Sequence, residues 1–178
     1  TFEHKTLQEG DCLELGTAKL EVVYTPGHTP HSLSLLVTDK SRSEEPWLVL
    51  SGDLLFVGDI GRPDLAGKEL LELQVENLYE SIYKKLGKLS DRLEVFPAHG
   101  QGSLCGKGMS SKTSTTLGYE RRTNPLLRLD SLNEFKKHFM QEYPARPKSF
   151  SHMISMNTKG APLLDRRTED RPLTPSQF

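Results

Sequence analysis

Three side chains of the kinds that bind metal ions or move protons each follow a strand-like run of the sequence. His28 comes directly after the turn Pro26-Gly27, and the run before that turn alternates as a strand does. Asp53 and His99 each come at the end of a later apolar run. A loop at the end of a buried strand presents its side chains from a rigid support. The pattern therefore predicts one site that combines two imidazoles with a carboxylate.

This donor set is compatible with more than one metal. Two histidines and one carboxylate, with open coordination positions, suit non-haem Fe(II) and oxygen chemistry. The same ligands with additional histidines suit Zn²⁺, which activates a bound water for hydrolysis. For His28 taken alone, a capped turn with a solvated imidazole is a further alternative. The spacing thus predicts a metal site and leaves iron and zinc open.

The elements that must position these residues are short strands. Alternating and apolar runs predict a hairpin that turns at Gly16-Thr17, followed by three further strands. If the strands before His28 and Asp53 are neighbours, the two side chains lie side by side. The predicted strands cover residues 11–15, 18–24, 33–37, 47–50 and 93–96.

Three helices are predicted between and after these strands. Residues 68–89 carry an apolar stripe at three- and four-residue spacing, and Gly87 ends or kinks that helix. Residues 113–122 predict a short helix, and residues 131–143 predict an amphipathic one whose Ser131 and Glu134 form a capping box. One domain is therefore expected over residues 1–143. Residues 144–178 are rich in proline and lack apolar periodicity, which predicts a linker or tail.

Composition narrows the classes of function. The chain has 178 residues, with 23 Lys and Arg against 24 Asp and Glu, so its net charge is −1. No basic field is present that would suit nucleic acid or an anionic membrane. The sequence shows neither a run of membrane-spanning length nor a signal-peptide pattern. A cytoplasmic protein is the expectation, with a mitochondrial location as the alternative.

Two cysteines do not make a disulfide framework. Cys12 lies in a predicted strand and is expected to be buried or half-buried. Cys105 lies in a glycine-rich loop beside Lys107, a setting that can favour the thiolate. It could accept or relay sulfur or be oxidised, and a spectator thiol is the alternative.

The three stretches that carry His28, Asp53 and His99 resemble motifs of a known superfamily. Thr25-Pro26-Gly27-His28-Thr29, Gly52-Asp53 and Pro97-Ala98-His99-Gly100 are similar to the later motifs of the metallo-β-lactamase superfamily. Residues 52–65, Gly-Asp-Leu-Leu-Phe-Val-Gly-Asp-Ile-Gly-Arg-Pro-Asp-Leu, resemble its persulfide dioxygenase (sulfur dioxygenase) branch. Residues 102–107 and 118–125 resemble dioxygenases fused to rhodanese domains, and residues 154–178 resemble the connector that precedes the rhodanese domain.

The resemblance implies an α+β fold, the αββα sandwich of the superfamily, with this chain as its C-terminal half plus a linker. The family holds one iron with two histidines and one aspartate. His28 matches one of these histidines and Asp53 matches the aspartate. The other histidine belongs to an early H-x-H-x-D-H motif, which this sequence does not contain. His99 matches a ligand of the second metal in dinuclear hydrolases, and in the dioxygenases it is expected to orient a ligand or water.

The implied reaction consumes glutathione persulfide, O₂ and water and yields sulfite and glutathione. His28, Asp53 and His99 are the implied catalytic residues, and His28 and Asp53 hold the Fe(II). Five residues are the candidates for contact with the substrate or its loop: Arg62, Cys105, Tyr119, Arg121 and Arg122. A local ion pair with Asp59 or Asp64 is the alternative for Arg62, and a solvated helix end is the alternative for Arg121 and Arg122.

Two competing functions remain open. One is a glyoxalase II-like thioester hydrolase that uses zinc in the same fold. The other is a degenerate half-domain that binds a partner without catalysis. The expected partners are glutathione persulfide, O₂, a fused rhodanese domain and, as an open alternative to a monomer, a second copy in a homo-oligomer.

Overall fold

The computed structural model describes residues 3–103, 105–106, 108–129, 131–140 and 149–160. The chain divides into two compact units, Thr1–Glu142 and Tyr143–Phe178. In the second unit the described residues form helix α4 (Phe150–Lys159), which sequence analysis did not predict. The rest of the predicted linker, at residues 144–148 and 161–178, lies outside the described residues.

The first unit is built on one six-stranded sheet in the order β1-β2-β3-β4-β5-β6. All neighbours are antiparallel except β4 and β5, which are parallel. The five predicted strands are confirmed, and the short β6 replaces the start of the helix predicted from residue 113. The strands are β1 (Cys12–Leu15), β2 (Ala18–Tyr24), β3 (Leu33–Asp39), β4 (Leu48–Gly52), β5 (Glu94–Pro97) and β6 (Thr115–Thr116).

The topology brings three strand ends to one edge of the sheet. Strand β3 lies antiparallel between β2 and β4, so β2 and β4 point the same way, and β5 runs parallel to β4. The carboxyl ends of β2, β4 and β5 therefore meet at one edge, where they lead into His28, Asp53 and His99. Strand β3 separates β2 from β4, so the turns that carry His28 and Asp53 meet across the end of β3.

The predicted helix at residues 68–89 is confirmed over residues 68–88, but its pitch changes along its length. A 3₁₀ turn, Lys68–Leu70, leads into helix α1 (Leu71–Tyr79), which continues as a π-helical turn over Glu80–Lys85. A final 3₁₀ turn, Leu86–Lys88, contains Gly87 and ends the run. Four residues of the predicted stripe are buried: Val75, Leu78, Ile82 and Leu86.

Two shorter helices complete the unit. Helix α2 (Leu117–Thr123) follows β6 directly, and helix α3 (Leu132–Phe139) begins after Ser131, whose hydroxyl accepts the amide hydrogen of Glu134 at 3.2 Å. Helix α3 packs on α1, where the ring of Phe135 meets Tyr79 edge-on at 5.4 Å. The predicted end of this helix, at residues 141–143, lies outside the described residues.

The sheet is apolar on both faces. On one face Leu36, Val49 and Val95 lie in register across β3, β4 and β5 and are at most 8% exposed. On the other face Tyr24 is 41% and Leu50 38% exposed. Strands that are apolar on both faces are typical of a sheet covered on both sides. On this second face Val22 is 1% and Leu48 8% exposed, so its exposure is confined to part of the face.

The remaining findings concern the surface. Cys12 is exposed, contrary to expectation, because β1 is the outermost strand and pairs on one side only. Among the described residues no helix is both long enough and apolar enough to cross a membrane.

Candidate metal centre

The turn after β2 is fixed against helix α1. Gly27 has a φ of 146°, and a Cβ at this position would lie 2.5 Å from the Cα of Leu78. The Ser81 hydroxyl donates to the carbonyl oxygen of Pro26 at 2.7 Å. Only glycine lets the backbone pass the helix this closely, and the passage carries the next residue, His28, into the interior.

His28 is 4% exposed, and its ring is oriented by one backbone group. Nδ1 lies 2.9 Å from the carbonyl oxygen of Arg62. Because a carbonyl oxygen only accepts, Nδ1 carries the hydrogen and Nε2 keeps its lone pair. Burial lowers the pKa of His28, against the opposing effect of the Asp53 charge. The ring is thus held neutral, in the form and orientation that a metal ion requires.

Asp53 lies between the two imidazoles. Its Oδ2 is 3.9 Å from Nε2 of His28, and its Oδ1 is 2.6 Å from Nε2 of His99. The contact with His99 is not directed as a hydrogen bond, since Oδ1 is a buried atom without a hydrogen-bond partner in the described residues. The ring of His99 stacks on Phe56 at 5.0 Å. The three predicted catalytic side chains therefore meet at one place.

Cys105 also lies at this place. The potential ligand atoms of His28, Asp53 and Cys105 are all within 4.8 Å of one another. The Arg62 amide donates to the carbonyl oxygen of Cys105 at 3.1 Å. Sequence analysis placed Cys105 among the candidate substrate contacts. In the structure its thiol lies close to the potential metal ligands His28 and Asp53. Lys107, the neighbour expected to favour its thiolate, lies outside the described residues.

Arg62 contributes to the site through its main chain. Its peptide groups bind Cys105 on one side and His28 on the other. Its guanidinium forms two bonds of 2.6 Å to the carboxylate of Asp64, which confirms the local ion pair. Arg62 therefore orders its loop through these main-chain hydrogen bonds. A contact between Arg62 and substrate stays a prediction.

Two buried carboxylates, whose role sequence analysis missed, secure the loop that carries Arg62. Asp59 accepts the amide hydrogens of Ile60 at 2.8 Å and Gly108 at 2.7 Å, joining this loop to the one that carries Cys105. Glu120, fully buried in α2, accepts the amide of Gly58 at 3.0 Å and the side-chain amide of Asn124 at 3.0 Å. The four-residue spacing of Glu120 and Asn124 was the available signal, since such pairs share a helix face.

The other predicted substrate residues have different surroundings. Tyr119 is 49% exposed, and the Lys112 ammonium lies 5.8 Å from its ring centre. The Arg121 guanidinium binds Asp91 and the carbonyl oxygens of Leu86 at 2.6 Å and Leu89 at 3.0 Å. Contacts of these residues with substrate stay predictions.

Arg122 resembles the solvated helix end that was the alternative for this pair. Its side chain is 69% exposed and approaches Asp91 at 3.8 Å.

The ligand atoms fit one divalent ion on the His28 side of Asp53. An ion about 2.1 Å from each of two ligand atoms fits between atoms up to about 4.2 Å apart. The 3.9 Å separation of His28 Nε2 and Asp53 Oδ2 meets this limit.

Replacing Gly61 with alanine tests how tightly the centre is built. A Cβ at Gly61 would overlap the Asp53 carbonyl oxygen and lie 3.1 Å from His28 Nδ1. We expect Gly61→Ala to lower metal affinity at least about tenfold, because both ligands must shift. Gly100→Ala is the control, since its Cβ would meet only ordinary contacts, the nearest at 3.5 Å. Equal affinities by competitive chelator titration would contradict this geometry.

Arg121 is bound to other parts of the fold, whereas Arg122 is largely exposed. The two adjacent arginines should therefore contribute differently to the free energy of unfolding. Arg121→Ala should lower the free energy of unfolding by about 2 kcal/mol, because it removes charge-assisted bonds to two helix-end carbonyls. Arg122→Ala should change it by less than about 0.5 kcal/mol, as expected for an exposed ion pair. Urea denaturation measures both, and an unchanged stability for Arg121→Ala would favour the substrate-binding role instead.

Comparisons with known proteins identify relatives that share this fold. A metallo-β-lactamase from Staphylococcus aureus superposes with a TM-score of 0.80 at 35% identity, over 96% of this chain and 47% of that one. ETHE1 from Myxococcus xanthus superposes with a TM-score of 0.67 at 28% identity, over 85% of this chain and 58% of that one. No protein-family model matches the chain.

Curated relatives include both activities considered above. The hydroxyacylglutathione hydrolase GloC of Haemophilus influenzae is 32% identical over 67% of this chain and 46% of its own length. The mitochondrial persulfide dioxygenase ETHE1 of Bos taurus is 28% identical over 86% of this chain and 52% of its own length. The chain thus spans about half the length of these relatives. Its α+β fold is that of the metallo-β-lactamase superfamily.

Proposed function

We propose that the chain supplies His28 and Asp53 to the mononuclear iron centre of a persulfide dioxygenase. The proposed reaction oxidises glutathione persulfide with O₂ and water to sulfite and glutathione. Open coordination positions on a ferrous ion would supply the oxygen chemistry. The residues of this chain hold, orient and shield that centre.

The unequal spacing around Asp53 is the observation that carries this proposal. The His28 side leaves 3.9 Å between ligand atoms, enough for one ion. On the other side, His99 approaches Asp53 to 2.6 Å. Two ligands of one ion are normally about 3 Å or more apart, so this contact is too close for a second ion shared by the two. A single ion beside His28 fits the iron enzyme better than a dinuclear hydrolase.

Each residue then has a definite task. The Arg62 carbonyl holds the His28 ring so that Nε2 faces the ion, and Asp53 supplies the negative ligand. His99, stacked on Phe56, restrains the free oxygen of Asp53 and so fixes the carboxylate. Tyr119 and Arg122, both exposed, are available to the glutathione part of the substrate.

The extent of similarity adds support. The similarity to the bovine persulfide dioxygenase extends over 86% of this chain, against 67% for the glutathione thioester hydrolase. The motifs at residues 52–65, 102–107 and 118–125 point in the same direction. The glutathione persulfide substrate, a fused rhodanese domain and a homo-oligomer stay predictions.

A zinc thioester hydrolase is the second candidate, and one observation favours it. Asp53 directs one oxygen toward His28 and the other toward His99, as a carboxylate between two metal ions does. Two-metal hydrolases use such a pair to activate water. This arrangement requires the His99 contact to open by a few tenths of an ångström.

Metal content of a His99 variant separates the two functions. We expect the wild-type protein and His99→Asn each to bind one iron per chain after anaerobic reconstitution, because His99 contacts Asp53 rather than the ion. Activity should fall about 10- to 100-fold in the variant, as is usual when a residue that orients a ligand is lost. Asp53→Asn, the control, should lose the iron.

Elemental analysis, oxygen uptake with glutathione persulfide, and cleavage of a glutathione thioester are the measurements. Two zinc ions in the wild type, one in His99→Asn and thioester cleavage would contradict the dioxygenase and support the hydrolase. A wild type that binds neither metal and turns over neither substrate would support the non-catalytic alternative.

A further inference from the structure

We propose that the hydroxyl groups of Thr25 and Ser34 are positioning groups for the metal centre, because they join the turn that carries His28 to the turn that carries Asp53. These turns follow strands that are not neighbours, since β3 lies between β2 and β4. Ser34 lies on β3 and contacts residues at the carboxyl ends of both flanking strands. The inference rests on the His28–Asp53 centre of the proposed function and adds a connection that holds its two ligands in place.

The hydroxyl groups form one directed chain across the end of β3. Oγ of Ser34 lies 3.0 Å from Oγ1 of Thr25 and donates to the carbonyl oxygen of Ser51 at 3.4 Å. Because a carbonyl oxygen only accepts and Ser34 has a single hydroxyl hydrogen, Thr25 is the donor in the first contact. The chain therefore runs from Thr25 through Ser34 to Ser51, and its second bond, which is the longer, is the weaker link.

This chain is buried along its whole length. Thr25 and Ser34 are fully buried, and Ser51 is 1% exposed. A buried hydroxyl that loses its partner is not compensated by water, so these bonds resist separation of the strand ends. The next positions toward the middle of this face, Leu36 and Val49, are apolar. The hydroxyl groups are thus placed at the ends of the strands, where the ligand-bearing turns begin.

Thr25 closes the turn that carries His28. Its amide donates to the carbonyl oxygen of Ser32 at 3.0 Å, so the chain between these two residues forms one closed loop. His28 lies in that loop, three residues after Thr25. A displacement of Thr25 would therefore be transmitted to the imidazole.

Ser51 closes the turn that carries Asp53 in a similar way. Its carbonyl oxygen accepts the amide hydrogen of Leu54 at 3.1 Å, and its hydroxyl donates to the carbonyl oxygen of Leu55 at 2.7 Å. Both bonds span Asp53. The hydroxyl chain thus connects the base of one ligand turn to the base of the other, and so helps to hold Nε2 of His28 3.9 Å from Oδ2 of Asp53.

Fixed turns raise the affinity of a metal centre because the ligands are in place before the ion arrives. Without the hydroxyl chain, the two turns would sample a range of separations. Only the fraction of molecules with the correct separation would then bind an ion at full affinity. The apparent affinity would fall by that fraction, although every ligand remains.

Zn²⁺ binding by the full 178-residue chain, measured by competition with a chelator, tests the inference. Thr25→Val keeps the shape of the side chain and removes its hydroxyl. We expect it to lower zinc affinity about fivefold or more, the usual scale of one buried hydrogen bond. Thr25→Ser keeps the hydroxyl and should retain most of the affinity. Thr38→Val is the control, because Thr38 is buried on the same face of β3, four residues beyond Ser34.

A double variant shows whether the hydroxyl groups act as one chain. Ser34→Ala should lower zinc affinity at least as much as Thr25→Val does. The combination should lower it little further than Ser34→Ala, because either change breaks the same connection. Urea denaturation of each variant gives the free energy of unfolding, which separates a loss of stability from a loss of affinity in the folded protein.

Four results would overturn the inference. Wild-type affinity in Thr25→Val and Ser34→Ala, whatever their stability, would exclude the positioning role and leave the metal centre intact. A greater loss in Thr25→Ser than in Thr25→Val would assign the effect to packing. Losses that multiply in the double variant would exclude a single chain. A wild type that binds no Zn²⁺ would overturn the His28–Asp53 centre as well. Because zinc binding is measured and not turnover, the result does not depend on which reaction the centre performs.

Discussion

The hydrogen bond between His28 Nδ1 and the Arg62 carbonyl is the constraint on which the site depends. It selects the tautomer of a buried imidazole and turns the free nitrogen toward Asp53. The same arginine binds the Cys105 carbonyl through its amide, so one residue holds both the His28 ring and the loop that carries Cys105. The site is therefore organised around main-chain groups of Arg62, while its guanidinium binds the carboxylate of Asp64.

Sheet topology explains why the ligands can meet although they are far apart in the chain. Strands β2, β4 and β5 deliver their carboxyl ends to one edge, and each end continues into a ligand-bearing turn. Glycine makes the approaches close enough: Gly27 lies against the backbone of Leu78, and Gly61 against the carbonyl of Asp53. Buried Asp59 and Glu120 then hold the loops behind the site. The ligand geometry thus depends on hydrogen bonds of residues that are not themselves metal ligands.

Much of this was predictable from local pattern. Alternation and the Gly16 turn predicted the hairpin, and the spaced apolar residues from Val75 to Leu86 predicted the long helical run. The meeting of His28, Asp53 and His99 followed from their positions after strands. Local pattern carries no information on long-range pairing, however, so it left open which strands lie beside β2. Cys12 is exposed because β1 is an outermost strand, and the short strand β6 forms at the opposite edge. Both features depend on long-range pairing, which local pattern does not show.

The contacts between loops at the site could not be predicted from the sequence, because they also join residues far apart in the chain. That Cys105 lies beside His28 depends on a main-chain bond from Arg62, a residue whose side chain drew attention instead. Asp59 appeared as an ion-pair partner for Arg62, but its carboxylate binds backbone amides of two loops. The π-helical turn at Glu80–Lys85 leaves the apolar spacing almost unchanged and so gives little signal. Such contacts form only once the chain is folded.

The most direct test of the account is the protonation state of the His28 ring, observed by long-range ¹H–¹⁵N NMR of the folded protein. The account predicts a neutral ring at neutral pH with the hydrogen on Nδ1, and a shift of the Nε2 resonance when Zn²⁺ is added. A hydrogen on Nε2, or an Nε2 resonance that ignores the metal, would contradict it. A His28→Ala spectrum assigns the signal.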